Sequence, residues 1–251
     1  MSRLVSGVSE VTSPLPVVLA WIEHYGCHHT TTPAFAHGLI GYTLPRHADR
    51  IEHMQFSEVL ARRRMVRNYT DEPVDPEALG RIAAAALRAP SAGNSQAIGV
   101  VVVTDPDVRR RIATIADEPE YVAAGFDPWV SRAPAHVVIS VSEKVYRDRY
   151  SEPDKLAEDG SQIEWPVPYW WVDAGASMMA VLLAAVDEGL AAGFLGVHSV
   201  PDLADLLAIP DHFHPIGIVT IGSPAPDRRS GSLDRPKKTA KDVVFTDRWG
   251  R

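Results

Sequence analysis

Cysteine is nearly absent. The single residue Cys27 in 251 excludes an intramolecular disulfide framework and any zinc site built on two thiolates, and it points to a reducing, cytoplasmic compartment. Positive charge is not in excess either. With 25 Lys+Arg against 32 Asp+Glu, the formal net charge is −7, which excludes a nucleic-acid reader driven by net charge. The longest strongly apolar run lies between Asp173 and Asp187, short of the roughly 20 residues that span a bilayer, and reads as a core helix rather than a membrane anchor. Arg3 precedes an apolar stretch at 14–22 and Ala34-Phe35-Ala36 has a small-x-small pattern, but the polar spacer 23–33 is too long for a secretory signal.

Several chemical signatures are also missing. No G-x-G-x-x-G follows a strand, and there is no P-loop, G-x-S-x-G or H-E-x-x-H. Gly189, Gly193 and Gly196 have the wrong spacing for a dinucleotide turn and follow a helix. The one metal-like cluster is His24, Cys27, His28 and His29, and without further partners it predicts no functional metal. His212 and His214 flank Phe213 and read as solvent-facing loop histidines.

A 45% apolar chain of this length supplies one core without staples. Residues 1–53 hold six of the ten histidines and no sustained period. They read as an N-terminal extension, an appendage or an upstream start before Met54, with the folded domain over 54–251. Ser57 is expected to cap a helix with Val59 and Leu60 inward and Arg62, Arg63 and Arg64 in its last turn. Asp75-Pro76-Glu77 is a cap, proline and acid in helix-start order, with Leu79, Ile82, Ala83, Ala86 and Leu87 following at helical spacing and Pro90 ending the run. The β-branched runs 99–104 (GVVVVT), 136–141 (HVVISV) and 216–221 (IGIVTI) predict strands, the first two buried, and Asp105-Pro106-Asp107 opens a helix between those two. The charged stretch 144–162 reads as a mobile excursion with Trp165, Tyr169, Trp170 and Trp171 as an aromatic rim. A long helix over 172–188, a glycine-rich return over 189–197, a short helix over 201–208 and a basic tail complete an α/β or α+β chain.

What remains is a distributed basic and polar set. Arg63, Arg64 and Arg67 near a helix end, Ser91 and Asn94 in the tight turn 90–94, and Arg235, Lys237 and Lys238 in the tail can converge on one phosphate-bearing ligand, since arginine forks match phosphate oxygens. The string Arg63-Arg64-Met65-Val66-Arg67-Asn68-Tyr69, then Ala89-Pro90-Ser91-Ala92-Gly93-Asn94-Ser95-Gln96, then residues 189–196 (GLAAGFLG) and Arg235-Pro236-Lys237 resembles, in order, the motifs of the FMN-dependent nitroreductase superfamily.

That resemblance implies an α+β fold with a mostly antiparallel central sheet flanked by helices, in an intertwined homodimer with FMN at the subunit interface. It implies that Arg63, Arg235 and Lys237 hold the phosphate and that Arg64 and Met65 lie along the phosphate and ribityl chain, Met65 replacing a usual serine. Arg67 would reach the N1/C2 edge of the flavin. Pro90, Ser91, Ala92 and Asn94 would come from the partner subunit as part of a segment that includes Gln96, with Ala97 and Ile98 where the family often has proline and an aromatic. Leu195 and Gly196 would line the N5 side. The implied activity is hydride transfer from NAD(P)H through the flavin to a nitroaromatic or quinone in ping-pong order, with Arg67 and Gly196 tuning the flavin and no side-chain acid, base or nucleophile required. Action on halogenated phenols or on its own flavin, and non-catalytic flavin binding, are the alternatives.

Overall fold

The computed structural model describes residues 54–228 and 230–250; the reading of 1–53 and its histidine cluster lies outside them. A four-stranded, wholly antiparallel sheet forms the centre, with β1 (Ile98–Val103), β2 (Ala135–Val141), β3 (Ala191–Gly196) and β4 (His214–Gly222) in the order β1-β2-β4-β3. Strand periodicity divides its residues between two cores. On one face Ala135, Val137, Ile139, Val219 and Ile221 pack against α2 (Pro76–Ala84) and α7 (Tyr169–Asp187). On the other, Val103, Val138 and Ile218 pack against α3 (Pro106–Ile115), α5 (Trp129–Arg132) and α8 (Leu203–Leu206). A layer of helices therefore covers each face, which is why β2 is buried at every residue and its sequence does not alternate between an apolar and a solvent-facing side. β1, an edge strand, is mostly half-buried.

The helix starts follow their caps. Asp75 accepts the Glu77 and Ala78 amides and Asp105 the Asp107 and Val108 amides, each before a proline that lacks an amide to satisfy. α1 (Phe56–Arg62) departs from expectation, with Gln55 rather than Ser57 at its cap position and Leu60 exposed; Arg63 and Arg64 lie beyond its end. Leu87 is likewise exposed.

α4 (Glu118–Ala123) follows α3, and the Glu118 carboxylate, buried, accepts the Val130 and Ser131 amides at the start of α5. The charged stretch opens with a regular helix, α6 (Glu143–Arg149), whose cap Ser142 accepts the Val145 amide. Its aromatic neighbours are only partly a rim. Trp165 packs edge-on to Tyr146 and Tyr150, and Trp170 is buried in the same small core, whereas Trp171 is exposed. The glycine-rich return is strand β3, since Gly193 and its neighbours are crossed closely by other backbone. His214 begins β4 and is exposed.

α7 is 19 residues long and by length and composition alone could cross a membrane. One face, including Ala174, Val181, Leu182 and Ala185, is instead buried against the sheet and α2. Arg81 of α2 forks onto Glu188 just past the end of α7 at 2.7 and 2.9 Å.

Candidate functional site

After α1 the chain runs extended along the outer edge of β3. Met65 bridges Ala192 in the parallel sense, and the Val66 amide donates to the Ala192 carbonyl at 3.0 Å. Ala192 therefore turns its polar groups away from β4. In a strand the N–H and C=O of one residue share a side, alternating along the chain, so Phe194 and Gly196 also present their amides to the outer edge. Gly193 is what lets the two backbones meet, because a Cβ there would fall 2.4 Å from the Val66 carbonyl oxygen.

Alternation sinks Val66 into the core and leaves Met65 exposed. Behind Val66, the Tyr69 hydroxyl lies 2.9 Å from the Val66 carbonyl and 2.8 Å from Thr220 Oγ1, and burial pushes its ionisation well above the ordinary tyrosine range. Buried Asn68 donates to the Pro226 carbonyl at 2.7 Å and accepts from Arg132. Arg67 is positioned twice, its amide donating to Asp227 at 2.8 Å and its guanidinium lying 5.8 Å over the Trp129 ring. A cleft of about 200 Å³ opens beside it, walled by the stacked pair Tyr121 and Phe126 and by Arg228, whose guanidinium sits 4.7 Å over Phe126.

The fold thus brings Arg63, Arg64, Met65, Arg67, Leu195 and Gly196 to one sheet edge. Among the described residues no ion pair engages the side chains of Arg63, Arg64 or Arg67. Pro90, Ser91, Ala92, Asn94 and Gln96 lie elsewhere. They precede β1, the opposite edge of the same sheet, and three strand spacings of about 4.8 Å separate the two edges. Arg235 and Lys237 sit in an exposed tail that follows the short turn Gly231–Asp234. Among the described residues no group of three or more His, Cys, Asp or Glu is arranged to hold a metal.

The sequence profile of the Nitroreductase family matches residues 60–223. The chain belongs to that family.

Among curated relatives, it is 28% identical over 178 residues to FMN reductase [NAD(P)H] of Bacillus subtilis, covering 64% of this chain and 63% of that reductase. It is 27% identical over 220 residues to iodotyrosine deiodinase 1 of Rattus norvegicus, covering 79% of this chain and 74% of that protein. In fold it is similar to nitroreductase A of Vibrio parahaemolyticus, with a TM-score of 0.59 at 23% identity over 78% of this chain and 77% of that one.

In this nitroreductase-family chain the candidate site residues are also held by residues that no local motif announces. Asp227, Trp129, Asp173 and Arg149 hold Arg67 or the 91–96 turn from 160, 62, 81 and 56 residues away respectively. Asp173 sits inside α7 at the boundary of its apolar run, and that boundary carboxylate is its one signal in the sequence.

Proposed function

We propose that this chain is an FMN-dependent NAD(P)H oxidoreductase working as a homodimer, with an electron-poor aromatic such as a nitro compound or a quinone as acceptor. The observation that carries the reading is a run of arginines without ion-pair partners among the described residues, laid beside an edge strand whose last residue, Gly196, turns its amide outward. This donor set fits a flavin mononucleotide. The phosphate calls for forked cations, the pyrimidine edge for a cation, and N5 for a donor amide approached closely, as a residue without Cβ permits. Bound there, FMN would supply two-electron redox chemistry linking NAD(P)H to the acceptor in ping-pong order.

The residues divide the work. Arg63, with Arg235 and Lys237 from the tail, holds the phosphate, and Arg64 and Met65 follow the ribityl chain, Met65 through its backbone. Leu195 and Gly196 line the N5 side, and Arg67 faces the N1/C2 edge. Pro90, Ser91, Ala92, Asn94 and Gln96 reach the cofactor from a second copy, a reading supported by their place on the opposite sheet edge. Exposed apolar side chains on α7 and its neighbours, Val172, Met179, Leu87, Phe56 and Leu60, offer that copy a surface to cover. Residues 54–251 form the flavin-binding domain, with 1–53 as its extension, and the cytoplasm is the proposed compartment.

A visible absorbance spectrum of the purified protein, followed by anaerobic addition of NADH or NADPH, tests the reading. A flavin spectrum bleached by either nucleotide supports it, and colourless protein that takes up no added FMN overturns it. The iodotyrosine deiodinase relatives favour a second reading, reductive dehalogenation of halogenated phenols, which halide release under the same conditions would reveal.

At the phosphate end, Arg63→Ala or Arg235→Ala is expected to weaken FMN binding by about 2 kcal/mol, the loss of one charge-assisted contact. Unchanged affinity in both variants, measured by flavin fluorescence titration, removes these residues from the phosphate site. Arg67→Met is expected to act differently. A cation at the pyrimidine edge stabilises the anionic reduced ring more than the neutral oxidised one, and only such a difference shifts an equilibrium. The midpoint potential should fall by about 30 mV, equivalent to about 1.4 kcal/mol in a two-electron couple, with FMN affinity less affected. Equal midpoints in spectroelectrochemistry count against the assignment.

A further inference from the structure

The turn that opens β1 is held in a conformation its residues rarely adopt. Gly93 has φ 62°, and two residues with side chains nearly match it, Asn94 at 54° and Gln96 at 50°. Non-glycine residues occupy this left-handed region only at a cost, and the conformation persists where surrounding contacts over-determine it. Two of the contacts are internal. The Gln96 amide donates to Ser91 Oγ at 3.2 Å, and Ser95 Oγ donates to the Ala92 carbonyl at 2.7 Å.

Two more come from distant chain. The Ala92 amide donates to the Asp173 carboxylate of α7 at 3.2 Å, and Arg149 Nε, at the end of α6, donates to the Gly93 carbonyl at 2.9 Å. Burial raises the Asp173 carboxyl above its ordinary range, with the Ala92 amide drawing it back. Arg149 is itself fixed from within five residues of chain. Its two terminal nitrogens fork onto Asp154 at 2.8 Å each, and Nη1 also reaches Glu152 at 2.8 Å. A planar guanidinium locked by two carboxylates leaves its Nε pointing in one direction, so little rotamer freedom is lost in reaching the carbonyl. Tyr150 closes the same side, since a Cβ on Gly93 would lie 2.9 Å from its ring, and that ring stacks on Tyr146 and meets Trp165 edge-on.

We propose that Arg149 is a positioning residue that latches the 91–96 turn in its left-handed form. The charged, aromatic stretch 143–171 is then part of the machinery that shapes the 91–96 turn. The consequence for flavin affinity rests on the functional reading above; the latch itself rests on the contacts in one chain. The Nε bond directs the carbonyl of Gly93, and the peptide planes on either side of that carbonyl set where Ser91, Ala92 and Asn94 present their polar groups.

The test uses the full chain and compares wild type with Arg149→Met, Arg149→Lys and Asp154→Asn. Hydrogen exchange on flavin-free protein reads the latch directly. Arg149→Met should speed exchange of the amides in 92–97 about tenfold, the loss of one charge-assisted bond, while β2 and β4 keep their wild-type protection. Arg149→Lys, which retains a donor and the charge, should recover most of that protection, and Asp154→Asn should give a smaller change in the same direction. FMN titration should follow the same order, with about a tenfold rise in Kd for Arg149→Met and a changed visible circular dichroism of the bound flavin. Wild-type exchange in Arg149→Met overturns the latch, and so does equal loss of protection across β2 and β4, which would mark a general structural role. Raised exchange with unchanged FMN affinity overturns the link to the cofactor. If the wild type takes up no FMN, the functional reading fails, and exchange alone decides the latch.

Discussion

Acidification from pH 6.5 to pH 4 is expected to remove about 3 kcal/mol of stability through one side chain, His136. It lies near the start of β2, fully buried, and its Nε2 is 2.8 Å from the Val130 carbonyl. A carbonyl only accepts, so Nε2 carries the proton and Nδ1 is the bare nitrogen, and Nδ1 has no hydrogen-bond partner. Protonating it places a cation and an unanswered N–H in an apolar layer, with the Arg109 guanidinium adding repulsion. Burial is the largest cause, and together they lower the imidazole from 6.5 to about 4. The unfolded chain takes up its proton near pH 6.5 and the folded one only near pH 4, so between those values the unfolded state binds more protons. Stability is therefore intact above the unfolded value, falls as pH drops through the window, and levels off below it. About 2.5 pH units at 1.36 kcal/mol each give the figure. His136→Gln keeps an N–H for Val130 and cannot titrate. Denaturant unfolding of both proteins at several pH values should show the wild-type decline steeper than the variant's by that amount, and parallel curves would show that His136 does not carry it.

How much of this was legible in the sequence depends on the distance over which each feature is determined. Asp75 and Asp105 cap their helices because the cap, the proline and the first-turn acid are consecutive residues. β1, β2 and β4 were legible as β-branched runs, and the order of the four motifs carried the family, now matched over 60–223. β3 was not. Its sequence, AAGFLG, has low strand propensity, and it is a strand because β4 pairs along it and because Gly193 admits the backbone of Val66. Tertiary contact there overrides local preference. The 144–162 stretch opens as a helix because its charges neutralise each other locally: Lys144 pairs with Asp148, Arg147 with Glu143 and, in the turn that follows α6, Arg149 with Asp154. Arg63, Arg64, Met65, Arg67, Leu195 and Gly196 share one sheet edge and residues 90–96 precede the other, whereas Asp227 and Trp129, which fix Arg67, are separated from it in sequence and are joined to it only by the fold.

That dependence on a single close approach makes Gly193→Ala the substitution with the largest expected effect on the site. The added methyl carbon would lie 2.4 Å from the Val66 carbonyl oxygen, 3.0 Å from Thr220 Oγ1 and 3.1 Å from the Trp129 ring. None of these can simply swing away. The carbonyl belongs to backbone pinned by Tyr69 at 2.9 Å, Thr220 is buried in β4, and Trp129 is buried beneath Arg67. Relief requires the extended run 63–67 to lift from β3, breaking the Val66 to Ala192 bond and carrying the arginines with it. Overpacking of this kind costs roughly 1–3 kcal/mol when side chains can adjust and more when backbone must move, so a loss of about 3 kcal/mol is expected. On the proposed reading FMN binding should be lost as well, because the phosphate and pyrimidine cations move together. Gly196→Ala is the contrasting control. Its new carbon meets only the ring of His198, an exposed side chain, at 2.8 Å, and rotation of that ring relieves the contact, leaving stability within about 0.5 kcal/mol of wild type. Chemical denaturation of the two variants beside the wild type decides the matter: if Gly193→Ala is as stable as Gly196→Ala, the 63–67 run is not held against β3 as closely as the backbone geometry requires.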